Sequence, residues 1–140
     1  GDVFASERCD CGAQRDLALE LIAAGGSGAL IYLRGQEGRG IGLGEKIRAY
    51  ALQDLGYDTI DANLALGHPA DARDYSDAAA ILHHLGATSI RLLTNNPDKT
   101  DALIAHGVTV TSREPIVIEA TTTSATYLRT KRERMGHSLA

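Results

Sequence analysis

The chain has 140 residues, a length that favours one domain with a buried core. Its net charge of −4 argues against nucleic-acid binding through bulk positive charge, but it leaves room for a local cluster of arginines. No segment has the pattern of a membrane span or a signal peptide. From the charge we therefore expect no nucleic acid as partner, and from the missing span pattern no membrane.

Hydrophobic periodicity predicts helices alternating with short strands, which is typical of an α/β domain. Helices are predicted at 14–24 and 43–55, then between Ser76 and Gly86 and from Pro97 to Gly107. Strands are predicted at 29–33, 89–93, 108–110 and 115–118. Residues 57–75 are predicted to be mostly irregular, and a polar break at 121–124 precedes a basic, helical tail at 127–135.

The two cysteines, Cys9 and Cys11, are separated by a single residue. A disulfide across so small a ring is strained, so the pair favours a reduced, cytoplasmic setting with thiolates as metal ligands. Thiolates suit zinc, but two sulfurs supply only part of a zinc site. The alternative is two small residues in a turn.

Residues 34–42, the glycine loop, lie between the first predicted strand and the second predicted helix. The loop has four glycines in eight positions, and it leads into a helix N-terminus, where amides and the helix dipole favour an anion. Arg34 and Arg39 flank Glu37, and guanidinium groups match phosphate oxygens in pairs. The loop lacks the spacing of a Walker or dinucleotide motif. The alternative is a solvated loop with a surface ion pair.

Two further polar stretches follow. Asp71 and Arg73 stand beside a predicted helix start, where such residues most often form a cap and an ion pair. The stretch from Thr94 to Lys99 follows a predicted strand, at the edge where α/β domains bind ligands. Plain helix capping by Asn96 is the alternative there.

Six motifs occur in the order seen in the GTP cyclohydrolase II family, and the chain resembles that family from end to end. The motifs are Cys9-Asp10-Cys11-Gly12, Arg34 to Gly42, Lys46 to Gln53, Asp58 to Asn63, Asp71 to Tyr75 and Arg91 to Lys99, followed by a similar tail, Tyr127 to His137. The resemblance implies a single-domain α/β fold of the GTP cyclohydrolase II type, with a mixed sheet flanked by helices. It implies a catalytic core at 1–120 and a basic C-terminal tail at 121–140.

The resemblance also implies an activity. Members of the family open the imidazole ring of GTP, release formate and pyrophosphate, and yield a diaminopyrimidine ribosyl phosphate in the first step toward riboflavin. It implies Zn²⁺ and Mg²⁺ as cofactors, GTP as substrate, a homodimer and a cytoplasmic location.

Residue roles follow from the same resemblance. Cys9 and Cys11 match two of three zinc thiolates, and Tyr50 matches a tyrosine near the opening ring. Asp71 matches a proton acceptor and Arg73 a nucleophile at the α-phosphorus, although stabilisation of charge is equally consistent with an arginine. The implied GTP contacts are Gln14, Glu37, Gly38, Arg39, Thr59, Thr94 and Lys99.

The resemblance leaves two alternatives open. The family's first zinc cysteine belongs to a segment that would precede Gly1, so the zinc site is expected to be incomplete in this sequence. One alternative is a paralogue that stops at a formamidopyrimidine. The other is a silent GTP-binding domain fused to a dihydroxybutanone-phosphate synthase.

Overall fold

The computed structural model describes residues 1–4, 6–69, 71–118 and 133. Within them lies a small α/β arrangement of five helices and two strands, so the predicted α/β class is confirmed. No helix among these residues has the length and apolarity needed to cross a membrane. The elements are α1 Cys11–Ala24, α2 Leu43–Asp54, α3 Thr59–Ala65, α4 Ser76–His84, β1 Ser89–Leu93, α5 Pro97–Ala105 and β2 Thr109–Glu114.

The chain divides into two compact units. The first unit comprises 1–31 and 78–140 and contains α1, both strands and α5. The second unit comprises 32–77 and contains α2 and α3, and α4 begins in the second unit and continues into the first.

The first unit is built on the pair β1–β2, which is parallel, with Ser89 opposite Thr109 and Leu93 opposite Glu114. Parallel neighbours need a crossover, and α5 supplies it and packs on β2. Buried apolar side chains of this unit are Ala18, Ala78, Ala79, Leu82, Leu103, Val108 and Ile116. The described residues thus form a parallel pair, and the expected mixed sheet stays a prediction.

Helix α5 begins as the sequence predicts. The side chain of Asn96 accepts a hydrogen bond from the amide of Asp98 at 3.1 Å, and Pro97 occupies the first turn, where its missing N–H costs nothing. Of the two extended pieces predicted at 108–110 and 115–118, the first overlaps β2, which runs from Thr109 to Glu114. Residues 115–118 follow β2 and are irregular. The predicted break at 121–124 and tail at 127–135 lie outside the described residues, apart from Glu133.

The second unit contains a helix that the sequence analysis did not predict. Helix α3 lies inside the region expected to be irregular, and it packs against α2. Its N-cap is Asp58, whose carboxylate accepts from the amides of Ile60 at 2.8 Å and Asp61 at 2.9 Å. Ala62 and Asn63 are buried, which gives a helix of only seven residues its packing.

The predicted strand at 29–33 is wrong. These residues are irregular, and Leu30 and Tyr32 are 42% and 52% exposed. A strand requires a neighbour that completes its hydrogen bonds, and the two strands among the described residues pair only with each other. The apolar run alone could not reveal this lack of a partner.

The apolar residues that recur every four positions along α2 are not buried. Leu43 and Ile47 are 62% and 57% exposed, and Leu55, just beyond the helix, is 77% exposed. The buried position of α2 is Ala49, so a small residue rather than the leucine stripe makes the close contact.

Candidate functional site

In the second unit, the glycine loop is held against residues 71–74 by three contacts. The amide of Ala72 donates to the carbonyl of Arg39 at 2.9 Å, and Nε2 of Gln36 donates to the carbonyl of Asp74 at 3.1 Å. Gly40 lies so near Ala72 that a Cβ at position 40 would be 2.7 Å from the Ala72 carbonyl oxygen. The loop and the Asp71 segment therefore form one local cluster.

Asp71 and Arg73 form an ion pair with several hydrogen bonds inside this cluster. Nε of Arg73 donates to both carboxylate oxygens of Asp71, at 2.9 and 3.1 Å, and Nη2 donates to one of them. The backbone amide of Arg73 adds a bond of 3.0 Å to the same carboxylate. The guanidinium also lies over the ring of Tyr75, 5.8 Å from its centroid. Arg73 is thereby fixed in one orientation.

Burial raises the pKa of Asp71, but hydrogen bonds from Arg73 and the charges of Arg73 and Arg39 outweigh it and hold that pKa below its usual value. The carboxylate is therefore an anion at neutral pH. A group with a lowered pKa is a weak base, so Asp71 is better suited to holding a cation than to removing a proton from one.

Glu37 of the glycine loop pairs with Lys46 of α2. A hydrogen bond from Lys46 is the main cause that lowers the pKa of Glu37, and burial opposes it. The ammonium of Lys46 also lies 5.5 Å from the ring centroid of Tyr50, one helical turn further along α2. Sequence reasoning gave Lys46 no role, although its spacing from Tyr50 was a usable signal.

Arg39 has φ +62°, the one positive φ of a non-glycine residue among those described. Such a conformation costs about 1–3 kcal/mol and is concentrated at functional sites. It is held by the loop's own bonds, because the amides of Gly40 and Gly42 donate to the carbonyl of Glu37 at 3.1 and 2.9 Å. These two loop amides are therefore already engaged within the loop.

Position 38 leaves no room for a side chain, so it requires glycine. A Cβ there would lie 2.9 Å from a side-chain carbon of Ile41 and 3.1 Å from the carbonyl oxygen of Gly42. Thr59, the first residue of α3, is half-buried in the same unit.

In the first unit, Cys9 is buried and Cys11 opens α1, and neither forms a disulfide. Asp10 between them is 6% exposed, and its carboxylate accepts a hydrogen bond from Gln14. Among the described residues, no three His, Cys, Asp or Glu side chains come together as a metal site. The two thiols thus stand without a third candidate ligand in the described part of the chain.

The end of β1 carries the remaining predicted contacts. Thr94 is 4% exposed, and its hydroxyl accepts from the amide of Asn96 at 3.2 Å. Asn95 exchanges two hydrogen bonds with the backbone of Ile116, at 2.6 and 2.8 Å. Lys99 lies half-buried in the first turn of α5. The bridging role of Asn95 was not predicted.

The predicted site residues are therefore divided between the units. The second unit brings together the glycine loop, Asp71 and Arg73, with Tyr50 joined to them through Lys46. The first unit holds Cys9, Cys11, Gln14, Thr94 and Lys99.

The parallel β-α-β unit places the first unit in the α/β class. The sequence model of one family, described as GTP cyclohydrolase II, matches residues 1–115. The chain belongs to the GTP cyclohydrolase II family.

Curated relatives are similar over nearly the whole chain. Riboflavin biosynthesis protein RibBA of Rhodococcus erythropolis is 58% identical over 139 residues, which are 99% of this chain and 33% of that protein. GTP cyclohydrolase-2 of Streptomyces coelicolor is 56% identical over 139 residues, which are 99% of this chain and 63% of that protein. The chain thus spans about a third of the RibBA relatives and under two thirds of the shorter relative.

Proposed function

We propose that the protein containing this chain is a GTP cyclohydrolase II, which opens the imidazole ring of GTP and releases formate and pyrophosphate. The product would be a diaminopyrimidine ribosyl phosphate, the first intermediate toward riboflavin. The observation that carries the proposal is membership of the family over residues 1–115, together with 56% identity to a GTP cyclohydrolase-2.

The cluster in the second unit supports a site for the triphosphate. Together with Lys46 it combines four cations, Arg34, Arg39, Lys46 and Arg73, with the three carboxylates of Glu37, Asp71 and Asp74, and so it carries one net positive charge. Guanidinium groups bind phosphate oxygens in pairs. We assign Arg39 to the phosphates and Glu37 and Gly38 to the walls of the loop that receive GTP.

Magnesium fits this cluster only together with the nucleotide. Both carboxylates, Glu37 and Asp71, are already engaged by Lys46 and Arg73. Mg²⁺ is commonly held by substrate phosphates and water with few protein ligands. We therefore propose that Mg²⁺ would be held mainly by the triphosphate beside Glu37 and Asp71, and that it would supply positive charge to the departing pyrophosphate.

For Arg73, the geometry supports stabilisation of charge over nucleophilic attack. A nucleophilic guanidinium would form a bond to the α-phosphorus as the bond to pyrophosphate breaks, and it would first have to lose a proton. Arginine keeps its proton at neutral pH, and Asp71, with a lowered pKa, is a weak acceptor for it. We propose that water attacks the α-phosphorus as the bond to pyrophosphate breaks, that Arg73 holds the α-phosphoryl oxygens, and that Asp71 holds Arg73.

The thiols of Cys9 and Cys11 fit two positions of a catalytic zinc site, which takes three protein ligands and a water. Bound zinc supplies a water of lowered pKa for attack on the guanine ring. The third ligand would come from outside the described residues. The buried carboxylate of Asp10 and its partner Gln14 would hold the Cys-x-Cys segment in place.

The other expectations belong to the same proposal. Gln14, Thr59, Thr94 and Lys99 are assigned to further GTP contacts, and Tyr50 to the vicinity of the opening ring. The complete protein is proposed to be a cytoplasmic homodimer with a mixed sheet.

The test is to incubate the complete protein with GTP, Zn²⁺ and Mg²⁺ and to measure formate and pyrophosphate separately. We expect both products in equal amounts. Formate without pyrophosphate would identify the altered-product paralogue, and neither product would identify the silent fusion domain.

The Arg73→Ala variant tests the assignment of that residue. We expect pyrophosphate release to fall by about a hundredfold or more, as when one donor to a developing charge is removed. Arg73→Lys should recover part of the loss if the role is electrostatic. Mass spectrometry of the quenched parent enzyme checks for a guanylyl group on Arg73, and its accumulation would overturn the electrostatic assignment.

A further inference from the structure

We propose that Gly40 is a positioning residue for Arg73, because the absence of a side chain at position 40 sets how closely the glycine loop approaches the Asp71 segment. The consequence for catalysis rests on the proposed function, whereas the effect on the position of Arg73 does not. Nothing in the sequence motif distinguishes Gly40 from the other loop glycines in this respect.

The close approach involves backbone on both sides. A Cβ at position 40 would lie 2.7 Å from the carbonyl oxygen of Ala72, 2.8 Å from its carbonyl carbon and 3.2 Å from the amide nitrogen of Arg73. Rotation of a side chain cannot relieve contacts with backbone atoms. The segment at 72–73 would have to move by several tenths of an ångström.

Two hydrogen bonds hold residues 72–74 against the glycine loop at the short distance that Gly40 permits. The Ala72 amide donates to the carbonyl of Arg39, and Gln36 donates to the carbonyl of Asp74. Asp71 and Tyr75 hold the Arg73 side chain from within its own segment. A shift of the segment relative to the loop therefore carries the whole guanidinium with it, together with Asp71 and Tyr75.

The chain offers matched controls for the backbone strain of a substitution. Gly40 has φ +90°, and Gly56 and Gly67, in the same unit, have φ +101° and +79°. A Cβ at either control position meets nothing within 4 Å. Gly56→Ala and Gly67→Ala thus carry the cost of a left-handed alanine without the contact to the segment at 72–73.

The experiment compares Gly40→Ala with both controls in the complete protein. We expect kcat for pyrophosphate release to fall at least about tenfold in Gly40→Ala, since a displacement approaching 1 Å costs roughly a hundredfold. We expect KM for GTP and the zinc content to change little, and both controls to retain the parent kcat. A melting temperature of Gly40→Ala within the range of the controls would show that folding is not the cause.

A readout that does not depend on activity separates this inference from the proposed function. The NMR signal of Arg73 Nε–H reports its hydrogen bonds to Asp71 and the surroundings of the pair. We expect that signal to move in Gly40→Ala and to stay in both controls, even if the parent protein releases no product from GTP.

Gln36→Met provides a second variant in case Gly40→Ala folds poorly. It removes the donor to the Asp74 carbonyl with a side chain of similar length and without adding a charge, and a smaller fall in kcat, again with little change in KM, is expected. The inference is overturned if Gly40→Ala changes kcat and the Arg73 signal no more than the two control glycine variants do.

Discussion

The Asp71 carboxylate accepts hydrogen bonds from the amide and the guanidinium of Arg73, two residues further along the chain. Its pKa is lower in the folded protein than in the unfolded chain, where a value near 3.9 is usual. The pair therefore contributes stability above about pH 4, and that contribution is lost as the pH falls through the lowered pKa of the folded state.

The variant Asp71→Asn tests the direction of this dependence of stability on pH. We expect the free energy of unfolding at pH 7 to fall by about 1–3 kcal/mol, since bonds to a charged group are lost, and its dependence on pH below 4 to become shallower. Urea unfolding from pH 2 to 7 measures both. The control Asp101→Asn changes an exposed carboxylate of α5 and should keep the parent's profile. An unchanged acid profile in Asp71→Asn would contradict the prediction.

At the scale of residues, ion pairs could be predicted from the sequence where the two partners are near each other in the chain. The spacing of Asp71 and Arg73 indicated an ion pair, and the structure has one. Lys46 and Glu37 are nine positions apart, on opposite sides of a turn, so their pairing depends on the path of the glycine loop. That path includes the left-handed conformation of Arg39, which no residue preference predicts.

At the scale of elements, Asn95 joins the end of β1 to the chain beyond β2. Its side-chain amide donates to the carbonyl of Ile116 and accepts from the Ile116 amide, as the backbone of a paired strand would. Both residues are buried. This bridge fixes the turn that carries Thr94 and the cap of α5.

We predict that Asn95→Ala lowers the free energy of unfolding by about 1–3 kcal/mol, because it leaves a buried backbone donor and acceptor without partners. Asn96→Ser is the matched control. Serine also caps helices, and the Asn96 side-chain nitrogen has no hydrogen-bond partner among the described residues. Denaturant titration measures both variants, and a control that costs as much as Asn95→Ala would contradict the assigned roles.

Elements with local signals were predicted from the sequence. Asn96 and Pro97 mark the start of α5, and the position of β1 follows from its apolar run. Helix α3 was not predicted because its residues lie in a polar region, although Asp58 offered a capping signal. The run at 29–33 has the composition of a strand but no pairing neighbour among the described residues, and composition cannot supply one.

At the scale of the whole molecule, the two units hold different parts of the proposed chemistry. The second unit contains the arginines, lysine and carboxylates suited to a triphosphate. The first unit contains the two thiols suited to zinc. The proposed reaction has two bond-breaking sites on one substrate, the imidazole ring and the α-phosphorus. The resemblance to the family gave this division of roles, whereas local periodicity did not.

The assignment of Cys9 and Cys11 to zinc predicts how the complete protein binds the metal. Cys9 and Cys11 supply two thiolates, and the described residues offer no third ligand beside them. A site of three protein ligands depends on each of them. We therefore expect the complete protein to bind one zinc per chain, and Cys9→Ser and Cys11→Ser each to weaken zinc binding by more than roughly a hundredfold.

Metal content by elemental analysis and competition with a chelator measure the affinity, and formate release measures the consequence for the reaction. The control His84→Ala removes an exposed imidazole of α4 and should leave zinc content unchanged. Because zinc content is read without turnover, it separates a lost metal from a misplaced substrate. A Cys11→Ser protein that keeps both its zinc and its formate release would remove Cys11 from the site, and the water that attacks the ring would then need another source of activation.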